Sequence, residues 1–86
     1  MNNNNIKKLR KKVDIIDYEL VLLLAKRFKT TKKIILLKEK NGLPAKDKNR
    51  EENILKKVGK LAEKLKISTE FIGDIFKNIL KESKGR

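Results

Sequence analysis

The sequence predicts an all-α protein, and three observations carry that expectation. Apolar residues recur at steps of three and four along most of the 86 residues. No stretch longer than five residues alternates apolar and polar residues with the two-residue period of a half-buried strand. The single proline, Pro44, lies beside Gly42 in one short break, and a second break precedes Ser68. One long helix and two shorter ones follow.

The long helix is expected from about residue 5 to residue 40. Ile6, Leu9, Val13, Ile16, Leu20 and Leu23 form one seam, and the same spacing continues through Arg27, Thr30, Ile34 and Leu37. Asn41-Gly42 suits a left-handed cap, and Pro44 keeps the helix from restarting. At 1.5 Å per residue such a helix is about 54 Å long, against a radius of gyration of about 12 Å for a compact domain of this size. A seam of that length needs a partner chain, so a homodimer is expected.

Asp47 is the N-cap expected for a second helix reaching Leu65, with Ile54, Leu55, Val58, Leu61, Ala62 and Leu65 as its apolar stripe. Gly59 interrupts that stripe, and a close helix crossing is the expected cause. Lys66-Ile67 form a link. Ser68 then caps a third helix from Thr69 to about Lys84, burying Phe71, Ile72, Ile75, Phe76, Ile79 and Leu80. Residues 1–5 are expected to be a disordered polar tail and residues 6–86 a single helical domain.

The chain contains neither cysteine nor histidine. Thiolate and imidazole metal sites, Ser-His-Asp triads and Cys-His pairs are therefore excluded. The longest apolar run, residues 20–25, is far too short to cross a membrane, and no apolar signal core follows the asparagines. A soluble cytoplasmic protein is expected. The net charge is +13, but lysines occur in every expected helix. Tyr18, Phe28, Phe71 and Phe76 do not alternate with basic residues as a base-stacking platform requires. Nucleic acid is thus not expected as a partner, whereas a positive field steers a small dianion inward.

All but four of the 24 basic residues are lysines. Arginine does one thing lysine does poorly, which is to hold a planar oxyanion with two parallel hydrogen bonds. Arg27 stands in the apolar seam between Leu23 and Ile34. Lys38 follows on nearly the same face, rotated by about 20° and about 16 Å along the axis, so both side chains reach one small ligand lying between them. Arg10 is about 25 Å from Arg27 along the helix and turned by about 100°, so only the Arg10 of a second copy reaches that ligand. Arg50 and Glu51 begin the core face of the second helix, and Ser83 continues the stripe of the third.

Each of these has an ordinary reading alone. A seam arginine sets register or lets its head escape to water, a first-turn glutamate complements the helix dipole, and a serine near a helix end is commonplace. Together, six polar residues from three helices converge on one apolar interior. Unpaired buried charge is costly, so a ligand with more than one carboxylate is the economical explanation.

The ordered set resembles the all-helical chorismate mutases. It comprises Leu9-Arg10, Leu23-Leu24-Ala25-Lys26-Arg27, Lys38, Asp47-Lys48-Asn49-Arg50-Glu51 and Ser83, in matching order without a gap over nearly the whole chain. The resemblance implies an intertwined homodimeric helical bundle that rearranges chorismate to prephenate, on the route to phenylalanine and tyrosine. That step is pericyclic and implies no cofactor or metal. By the same resemblance, Arg27 and Arg10 of the partner subunit clamp the two carboxylates, and Lys38 is the cation at the ether oxygen. Glu51 accepts the ring hydroxyl, with Asp47, Arg50 and Ser83 supporting the substrate. Family members usually carry a glutamine one helical turn beyond the serine. Here that position would follow Arg86, so either the last turn is missing, or another group substitutes, or the protein is a weak catalyst; a correct pocket is expected, with turnover left open.

Three other readings are weighed against this one. Isochorismate-pyruvate lyases share the fold and basic pocket but tend to lack the carboxylate represented by Glu51. A non-catalytic basic helical dimer binding nucleic acid or a partner protein leaves Arg27 in its seam without a reason. A degenerate mutase used for regulation is the third.

Overall fold

The computed structural model describes residues 3–85. They form three helices, α1 (Asn3–Lys40), α2 (Lys48–Lys64) and α3 (Thr69–Gly85), with no strand among the described residues. The all-α expectation holds, and so do the three elements. α1 starts at Asn3, so Asn3, Asn4 and Asn5 are helical rather than part of a disordered tail. Asparagine is a weaker helix former than alanine but no breaker, and each residue added to an existing helix gains a hydrogen bond. Met1 and Asn2, which were expected in the same tail, lie outside the described residues.

The ends of the helices follow from local chemistry. After α1, Gly42 takes φ +68°, and the chain closes with Gly42 N–H on the Glu39 carbonyl at 3.2 Å and Leu43 N–H on the Lys38 carbonyl at 2.8 Å. This is the Schellman pattern that glycine permits without strain. α2 ends the same way, with Lys66 N–H on the Glu63 carbonyl (3.1 Å) and Ile67 N–H on the Ala62 carbonyl (2.9 Å). The residue in the left-handed position there is Lys66, at φ +58°. Ser68 Oγ accepts the Phe71 N–H at 3.1 Å and caps α3 as expected.

The chain divides into two units, Met1–Lys33 and Ile34–Arg86. In the second unit α2 packs on α3. The core of this hairpin holds Ala62, 2% exposed, and Leu80, 8% exposed, flanked by half-buried Ile54, Leu55, Val58, Ile72, Ile75, Phe76 and Ile79. Leu61, Leu65 and Phe71 were expected in these stripes but remain exposed. They sit at the margins of stripes wider than the one helix facing them. A Cβ built at Gly59 meets nothing within 4 Å, so no close crossing within the chain accounts for this glycine.

No residue of α1 is buried. Its seam from Ile6 through Leu9, Val13, Ile16, Leu20 and Leu23 is exposed, with Leu23 at 60%. Within the first unit the half-buried positions are Leu24, Arg27, Phe28 and Thr31, a face that shares Arg27 with the seam and is centred about 50° from it. No helix of the described residues is long and apolar enough to cross a membrane.

Candidate active site

The start of α2 and the end of α3 carry most of the expected site residues of the second unit. Asp47 is extended (φ −138°, ψ 92°), and its Oδ1 accepts the Arg50 N–H at 3.0 Å. This satisfies one of the orphan donors at the helix start and fixes where the first turn begins. Arg50 is exposed, while Glu51, on the next position, is half-buried. The hairpin brings that first turn against the last turn of α3, where Lys84 Nζ lies 3.0 Å from Glu51 Oε2. Ser83 is half-buried, and its Oγ donates to the Ile79 carbonyl at 2.8 Å. A serine hydroxyl has one proton, so it must turn away from Ile79 before donating to a ligand. Lys38 is half-buried in the last turn of α1, where a cation also complements the helix dipole.

In the first unit, Arg27 is half-buried, whereas Arg10 is exposed. Arg10 borders a shallow groove of about 260 Å³ with Asn3, Ile6 and Lys7. A larger groove, about 410 Å³ between Glu19, Leu22, Leu23 and Lys26, includes none of the expected site residues. Both grooves run along the exposed apolar surface of a single helix.

In the second unit, Lys38 and Arg50 carry charges of the kind that pairs with an oxyanion, and half-buried Glu51 can accept a proton from a hydroxyl group. Among the described residues no cluster of acidic side chains is placed to hold a metal ion. The chorismate mutase type II family matches residues 9–86, a span that contains all seven expected site residues. The chain belongs to the chorismate mutase type II family.

Curated relatives agree. The chain is 36% identical over 80 residues to a bifunctional chorismate mutase/prephenate dehydratase of Buchnera aphidicola subsp. Schizaphis graminum, covering 93% of this chain and 21% of that protein. It is 35% identical over 78 residues to the T-protein of Haemophilus influenzae, covering 91% and 21%. A bifunctional chorismate mutase/prephenate dehydratase of Buchnera aphidicola subsp. Baizongia pistaciae is 35% identical over 80 residues, covering 93% and 22%. The chain thus spans about a fifth of the length of these relatives. No solved structure gives a significant match.

Lys84 is the neighbour of the site that sequence reasoning passed over. The signal was present. α2 and α3 are both 17 residues long, and an antiparallel hairpin of equal arms sets the first turn of one against the last turn of the other.

Proposed function

We propose that this chorismate mutase domain converts chorismate to prephenate in aromatic amino acid biosynthesis. The observation that carries the reading is the family match over residues 9–86, which includes Arg10, Arg27, Lys38, Asp47, Arg50, Glu51 and Ser83. The rearrangement is unimolecular and needs no nucleophile or proton transfer. A chain without histidine or cysteine meets it by holding the substrate in a compact chair and stabilising charge where it develops.

In this reading Arg27 and Arg10 of the partner subunit pair with the substrate carboxylates. Lys38 faces the ether oxygen, whose negative charge grows as the carbon–oxygen bond breaks. Glu51 accepts the ring hydroxyl. Asp47 works mainly as the cap that fixes the turn carrying Arg50 and Glu51. Ser83 exchanges its Ile79 acceptor for the substrate. The active form is a homodimer whose second copy covers the apolar seam of α1, and exposed Leu9, Val13, Ile16, Leu20 and Leu23 support that assembly. A cytoplasmic location belongs to the same reading, since this reaction feeds amino acid synthesis.

The test is the loss of chorismate absorbance on adding purified protein, with prephenate identified as product. Arg27→Ala should abolish turnover. Lys38→Ala should lower kcat more than it raises KM, because its contact strengthens in the transition state. Chorismate left intact by the unaltered protein, with no binding of a transition-state analogue, overturns the reading.

A further inference from the structure

We infer that Lys84 is a positioning residue that holds the Glu51 carboxylate ready for the substrate hydroxyl, an inference that rests on the function proposed above. Lys84 Nζ lies 3.0 Å from Glu51 Oε2. A carboxylate offers acceptor sites on both oxygens, so a cation on Oε2 leaves Oε1 able to accept a hydroxyl proton. The lysine ammonium acts as a point charge and takes one oxygen, where an arginine fork would engage both.

Position and exposure support the assignment. Glu51 stands in the first turn of α2 and Lys84 in the last turn of α3, on two helices that pack against each other. The Glu51 side chain is 25% exposed and that of Lys84 41%, so the carboxylate is shielded while the ammonium reaches it from the solvent side. A glutamate has several rotatable bonds and loses that freedom when it grips a ligand. A partner that restricts it beforehand takes part of this loss before binding. Lys84 also follows Ser83 directly, so its contact with Glu51 ties down the last turn of α3, which carries Ser83.

The effect is modest because the pair is partly exposed. Lys84→Met in the full chain should raise KM for chorismate by about two- to fivefold, with a smaller change in kcat. The same substitution in a Glu51→Gln background should change KM no further, because the group to be positioned is gone. Lys84→Gln serves as a second variant if Lys84→Met folds poorly, with helical circular dichroism as the check. An unchanged KM in Lys84→Met, or an equal rise in the Glu51→Gln background, overturns the inference alone. Absence of chorismate turnover by the unaltered chain overturns the proposed function and this inference with it.

Discussion

The α2–α3 hairpin and the first thirty residues of α1 use the same apolar alphabet at the same helical spacing, yet only the hairpin encloses any of it. Ala62 and Leu80 are buried where two helices meet, whereas no side chain of α1 is. An amphipathic period states that a helix has a face to cover. It does not state what covers it. In the hairpin the cover is encoded a few residues away, across a link short enough to force antiparallel packing. For the seam of α1 the proposed second copy meets that need.

The comparison is broken most directly at Leu80. Leu80→Ala should destabilise the protein by about 2–5 kcal/mol in urea unfolding, since it opens a cavity in the smallest and best-enclosed part of the fold. Leu20→Ala tests the other side. Leu20 is 55% exposed in the single chain, so its truncation there costs below about 1 kcal/mol. With a second copy on the seam the loss should rise to about 2 kcal/mol or more, and Tm should depend on protein concentration. A small, concentration-independent loss would mean that the seam stays open. Gly59→Ala sharpens the contrast from within the hairpin. Its new Cβ meets nothing in the chain, so helix propensity alone predicts a gain of up to about 1 kcal/mol. A loss instead would show that another chain approaches α2 at that point.

The periodicity of the sequence located all three helices, and Asp47, Ser68 and Gly42 marked their ends because capping is a local matter of hydrogen bonds and backbone angles. Spacing overstates the width of the buried stripes. Leu61, Leu65 and Phe71 share a period with buried neighbours but lie off the line where α2 meets α3, and spacing alone does not give that line. The half-buried face of α1 in the first unit was also displaced from the predicted seam, leaving Arg27 on both faces and Leu24 and Phe28 on one. For the site, the sequence singled out residue types and an order. Whether Arg50 is exposed and Glu51 shielded depends on the end of α3 folding back over the first turn of α2, a tertiary fact that the equal lengths of the two helices imply but the spacing within either one does not. The same fold-back produces the contact from Lys84.

Lys66 bears on how the hairpin forms. α2 and α3 are joined by a turn whose left-handed residue carries a full side chain, at φ +58°. That conformation disfavours non-glycine residues by roughly 1 kcal/mol or more. The turn has to adopt it before α3 can lie along α2, so the penalty falls early, ahead of the contacts around Leu80 that later offset it. Lys66→Gly should therefore speed refolding by about fivefold in stopped-flow measurements and leave unfolding nearly unchanged, which makes this solvent-facing lysine a governor of rate.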